Sequence, residues 1–87
     1  PGDAVTRGQM AKFLCIARGK GPLAKPTPTF ADVPTSHLFY GYIERLADPA
    51  SWGGTPPTSG CGGGKFCPQQ NVARGQMAKF LVVAFGL

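Results

Sequence analysis

The sequence predicts a mainly α fold: a small set of helices joined by long irregular segments, one of them stapled by a disulfide. Three observations point there. A ten-residue helical motif occurs twice, a third helical stripe lies between the copies, and thirteen glycines with nine prolines fill about a quarter of the chain. So much glycine and proline confines regular structure to a few islands. The apolar residues are grouped, however, which separates the chain from disordered sequences of similar composition. At 87 residues it is one domain at most, with a small core that leans on staples or partners.

The repeat organises the chain. Val5-Thr6-Arg7-Gly8-Gln9-Met10-Ala11-Lys12-Phe13-Leu14 returns as Val72-Ala73-Arg74-Gly75-Gln76-Met77-Ala78-Lys79-Phe80-Leu81, identical at nine of ten positions and offset by 67 residues. Repetition on this scale marks modular arrays whose units depend on their neighbours. In the first copy Met10, Phe13, Leu14 and Ala17 follow the i, i+3, i+4, i+7 pattern, as Met77, Phe80, Leu81 and Ala84 do in the second. Thr6 and Gln9 predict a capping box and a helix start at Arg7. Ala73 lacks the hydroxyl, a loss of about 1 kcal/mol unless Asn71 caps an earlier start. Gly19 and Gly86 stand where left-handed C-terminal caps belong.

Both helices are apolar over a wider arc than one face requires. Ala11 and Cys15 flank the stripe in the first, and Ala78, Val82 and Phe85 in the second. Such helices are usually buried between two neighbours. A chain this short hardly supplies both, which favours association through Met10, Phe13, Cys15, Met77, Phe80, Val82 and Phe85. Cys15 aligns with Val82, so packing as a small apolar residue is its default role.

Between the copies, residues 20–29 read as a proline-rich, extended linker. Phe30-Ala31-Asp32-Val33-Pro34 then leads to a helix with Thr35 or Ser36 as N-cap and Phe39, Tyr42, Ile43 and Leu46 as its inner stripe. Asp48 to Gln70 predicts no regular element. Within it, Cys61 and Cys67 bracket a glycine-rich loop and are expected to pair. A disulfide closing so short a loop contributes about 2–3 kcal/mol and implies an oxidising, extracytoplasmic setting. The competing reading is a metal site completed by His37 and Cys15, but the spacing matches no common zinc pattern.

The residues Phe30-x-Asp32-Val33, His37, Ile43-x-x-Leu46, Phe66-x-Pro68 and the two R-G-Q-M-A helices resemble the S-layer homology module in order and spacing. On that resemblance, residues 30–87 are one complete module, residues 1–19 carry the closing helix of a preceding copy, and 20–29 are the linker. The resemblance implies small helical units that pack in threes and a bacterial cell-surface or extracellular location. It also implies anchoring to anionic wall polymers through the arginine of a T-R-A-E motif, which falls on Arg7 and Arg74. A guanidinium fork at a helix N-terminus suits a carboxylate; the other role open to these arginines is solvating the helix start. Gln9 and Gln76 stand in place of the motif glutamate, Ala73 in place of its threonine, and Leu38 in place of a tryptophan. The connecting loop is longer and carries Trp52, a candidate to stack on a sugar or to plug an interface.

Other chemistry falls away. The net charge of +5 is scattered and forms no nucleic-acid patch. No apolar run approaches the ~20 residues needed to span a bilayer. The chain opens at Pro1, as expected of a processed product or a piece of something longer. Gly62-Gly63-Gly64-Lys65 fails the phosphate-loop pattern because Phe66 takes the Ser/Thr place. No catalytic constellation, cofactor motif or metal set emerges. Two functions remain: a self-associating structural module whose partners are its own copies or tandem modules, and an anchor for anionic polysaccharide.

Overall fold

The computed structural model describes residues 5–58 and 60–86. Among the described residues three α-helices carry the fold: α1 (Arg7–Ala17), α2 (Tyr40–Leu46) and α3 (Arg74–Phe85). The chain is therefore mainly α, with irregular backbone elsewhere.

Local chemistry explains the ends of α1. Thr6 Oγ1 accepts from the Gln9 N–H at 3.1 Å and Gln9 Oε1 accepts from the Thr6 N–H at 3.0 Å, the reciprocal capping box. At the other end Gly19 turns left-handed (φ 69°), while Lys20 N donates to Cys15 O at 2.7 Å and Gly19 N to Ile16 O at 3.0 Å. These two bonds form a Schellman motif. In α3 only half the box survives: Gln76 Oε1 accepts from Ala73 N–H at 3.0 Å, and Ala73 offers no oxygen in return. Asn71 does not cap an earlier start: α3 begins at Arg74 with Ala73 as N-cap, and Asn71 lies opposite Thr6 in an isolated antiparallel bridge.

α2 begins later than Thr35 or Ser36 would place it. Residues 34–39 wind through turns, with His37 N donating to Pro34 O and Tyr40 N to His37 O. His37 Nδ1 accepts from the Phe39 N–H at 3.0 Å, so an imidazole serves the helix entrance instead of a hydroxyl. The segment after α2 also holds one turn of 3₁₀ helix, Pro49–Trp52, ended by left-handed Gly53. The Trp52 indole N–H donates to Arg45 O at 2.8 Å and closes that turn onto α2.

One apolar core unites the chain. α1 supplies Met10, Ala11, Leu14 and Cys15; α2 supplies Tyr40, Ile43 and Leu46; Phe30, Val33 and Phe66 come from the irregular segments. α3 adds buried Phe80 and Ala84, with Met77, Leu81 and Phe85 half-buried against the same core. Thus α1, the helix before the linker, is packed into the body formed by residues 30–66, and α3 lies on its flank.

Residues 20–29 lack regular structure, as expected, but they are a strap and not a free spacer. Leu23 N donates to Gly41 O at 2.9 Å, Arg45 Nε to Gly21 O at 3.0 Å and Tyr40 OH to Lys25 O at 2.5 Å. Thr29 gives its N–H and hydroxyl to buried Glu44, whose carboxylate also lies 3.7 Å from Lys25 Nζ. Charge-assisted bonds of this kind hold irregular backbone that has no ladder of its own.

Candidate functional site

The site grows from Arg7, the first residue of α1. Helix geometry turns its side chain inward, where it is 2 % exposed. Nε donates to Phe66 O at 2.7 Å and Nη2 to Thr58 Oγ1 at 3.2 Å. The guanidinium carbon lies 4.9 Å from the Phe66 ring centroid and 5.6 Å from that of Phe80. Burial lowers the guanidinium pKa from its ordinary value, and the Asp32 carboxylate works against that shift. Arginine tolerates such a place because its charge is delocalised and weakly hydrated.

The loop that receives Arg7 is pinned twice. Asp32 Oδ1 and Oδ2 accept the backbone N–H groups of Phe66 and Cys67 at 2.9 and 2.8 Å. Cys61 and Cys67 are paired as a disulfide, with Cα atoms 6.0 Å apart, across a tight turn in which Gly62 and Lys65 bridge. The cysteine pair is therefore covalent; Cys15 lies in the core and His37 at the α2 entrance, away from any shared metal set. Gly60 sits at φ 114°, and a Cβ there would stand 2.6 Å from Lys65 O and 2.8 Å from the Phe30 ring. Only glycine closes this loop without strain.

Asp32 makes the clasp pH-dependent. Burial pushes its carboxyl up, but the amide bonds from Phe66 and Cys67, its own backbone and the Lys65 charge outweigh that and leave it below the usual carboxylate range. A folded-state pKa below the unfolded value of about 3.9 stabilises fully above that pH and is lost as pH falls through the folded value. Thermal unfolding is expected to hold a steady midpoint down to about pH 5 and to drop below about pH 4. Asp32→Asn lowers the neutral midpoint and flattens the acid limb; an unchanged acid limb removes Asp32 as its cause.

Beside Arg7 a recess of about 170 Å³ opens between loop and α3, lined by Arg7, Thr58, Gly60, Gln76, Lys79 and Phe80. Arg7 and Gln76 therefore meet in one place, joined by Lys79 and Thr58, which nothing in the sequence marks as site residues. Arg74 does not line it and is exposed. Gln9 borders a second, apolar groove of about 480 Å³ with Phe13, Ile16 and Phe39. Trp52 is half-buried against the core, with its N–H committed to Arg45 O and Lys20 Nζ 5.0 Å over its ring. Its indole is thus built into the fold.

The residues expected at a shared surface divide into two groups. Met10, Cys15 and Phe80 are 0, 0 and 5 % exposed and belong to the chain's own core. The correction follows from α1 filling the body, which the motif alone does not reveal. Burial pushes the Cys15 thiol up to about 11, and its Sγ lies 3.5 Å from Tyr42 O. Phe13 and Val82 are 58 and 47 % exposed, while Met77 and Phe85 are half-buried. No helix among the described residues is long and apolar enough to cross a membrane. No protein-family model matches the chain, and no curated protein sequence matches it.

Proposed function

We propose that the chain is a non-catalytic extracellular module of a bacterial cell surface, of S-layer-homology type, that associates head to tail with further copies of itself. One observation carries this reading: α3 displays the face that α1 buries. Arg7, Gly8, Met10, Ala11, Leu14 and Cys15 are buried. Their counterparts Arg74, Gly75, Ala78 and Val82 are exposed, and Met77 and Leu81 only half-covered. A helix face whose counterpart packs in α1 is thereby left partly uncovered, which supports its use by another copy. A contact between unlike surfaces propagates into a fibre or closes into a ring.

Sizing over rising concentration and electron microscopy test it. Wild-type protein is expected to form species that grow with concentration, and Val82→Arg to stay monomeric with the same fold. Monodisperse wild-type monomer at high concentration overturns the reading.

A second reading, anchoring to anionic wall polysaccharide, is favoured by the recess where Arg7, Gln76 and Lys79 converge. Cations and amide donors in one small polar recess suit a carboxylate-bearing sugar. Lys79→Gln, which spares the buried Arg7, is expected to weaken cosedimentation with purified anionic wall polymer several-fold. Unchanged binding assigns the polymer elsewhere.

A further inference from the structure

We infer that the cleft holding α1 is an exchangeable helix-binding site, and that its partner is α3 of a second copy. This deepens the self-association reading and rests on it. The walls of the cleft are Phe30, Val33, Ile43, Leu46 and Phe66, and its rim accepts backbone N–H groups of the helix: Arg7 N to Gln70 O and Gly8 N to Pro68 O, both at 2.9 Å. The rim comes so close that a Cβ on Gly8 would stand 2.9 Å from the Phe39 ring and 3.3 Å from Pro68 O. Glycine is what admits the helix.

α3 carries the same glycine where nothing demands it. A Cβ on Gly75 meets no atom within 4 Å. Glycine weakens a helix relative to alanine, so Gly75 is a local disadvantage in its present seat and a requirement in the cleft. Met77, Ala78 and Leu81 repeat the Met10, Ala11 and Leu14 side chains, and Val82 brings apolar volume in place of the Cys15 thiol. Arg74, exposed here, would take the place of Arg7 between Phe66 O and Thr58.

The helix is also two-faced. α3 rests on its own body through buried Phe80 and Ala84, with half-buried Met77, Leu81 and Phe85 packed beside them. On a 3.6-residue helix Phe80 and Ala84 lie well apart in angle from the exposed Arg74, Gly75, Ala78 and Val82, with Met77 and Leu81 between the two faces. To enter the cleft of the next copy, α3 keeps Phe80 and Ala84 on its own body and gives up the half-buried contacts of Met77 and Leu81 there. The α1 of that copy leaves, so α1 is a resident competitor. Its full capping box against the half box of α3 biases the isolated chain toward the closed form.

Cys15 reports the exchange. It is the one cysteine outside the disulfide, fully buried in the cleft, with a thiol held up to about 11. The full chain is pulse-alkylated with iodoacetamide without reductant over a concentration series, and each sample is sized in parallel. Cys15 labelling is expected to rise with the assembled fraction. Gly75→Ala is expected to keep the monomer's circular dichroism, remain monomeric and leave Cys15 protected. Thr6→Ala lowers the concentration needed for assembly about fivefold, the worth of one cap. Assemblies in which Cys15 stays as protected as in the monomer overturn the exchange while leaving self-association standing. So does a Gly75→Ala protein that assembles like wild type. Failure of the wild type to assemble at any concentration removes the self-association reading itself.

Discussion

Replacing Arg7 with alanine is expected to cost about 3 kcal/mol, whereas the same change at Arg74, in the same motif, costs less than about 0.5 kcal/mol. At Arg7 the substitution removes two hydrogen bonds from a charged donor, strands the Phe66 carbonyl in the interior and empties the space between two aromatic rings. At Arg74 the side chain is exposed. A chain of 87 residues holds roughly 4–13 kcal/mol in total, so the first loss is a large share of its stability. Arg7→Lys is not a rescue, since one ammonium cannot reproduce the forked donors aimed at Phe66 O and Thr58 Oγ1. Urea unfolding of the three variants at constant m-value decides the point. Equal midpoint shifts for Arg7→Ala and Arg74→Ala overturn this account of the two helices.

Phe66→Ala is expected to cost 3–5 kcal/mol or roughly that range, enough to leave much of the chain unfolded at 37 °C. The ring is fully buried, tilted against Phe30 at a centroid separation of 5.3 Å and covered by the Arg7 guanidinium. Its truncation leaves a cavity at the one point where loop, α1 and the Phe30 segment meet. The backbone at this position compounds the effect, because its N–H is held by Asp32 and its carbonyl by Arg7. Phe13→Ala is the control: the same residue type on α1, 58 % exposed, is expected to change the midpoint little. Near-equal thermal midpoints for the two variants contradict the position assigned to Phe66.

What the sequence reveals here depends on the reach of the interactions. The Thr6–Gln9 box, the left-handed Gly19 and Gly86 and the Cys61–Cys67 pairing are settled within a few residues, and all are readable from the chain. The start of α2 is not, because His37 competes with Thr35 and Ser36 for the entrance and wins through turn geometry. The strap was legible as extended backbone but not as bound backbone, since Tyr40, Glu44 and Arg45 reach it from another element. Least legible is the contrast between α1 and α3. Near-identical sequences carry identical intrinsic preferences, so only their surroundings make Arg7 a core residue and Arg74 a surface one. The recess follows the same logic: Arg7 and Gln76 are visible in the motif, but Thr58 and Lys79 enter only once the loop folds over α1.

The strap also governs competition for the cleft. Its first fixed point, Gly21 O on Arg45, comes only four residues after the last residue of α1. Four residues of slack span at most about 14 Å. A helix leashed so closely returns to its cleft as though present at millimolar concentration or above, and a copy arriving from dilute solution rarely outcompetes it. Solitary chains therefore stay closed. Packed side by side on a surface, where neighbours reach comparable local densities, they meet the threshold at which the incoming helix prevails. Arg45→Ala frees Gly21 but leaves Leu23 held on Gly41 O, so it lengthens the leash by two residues and should lower that threshold slightly.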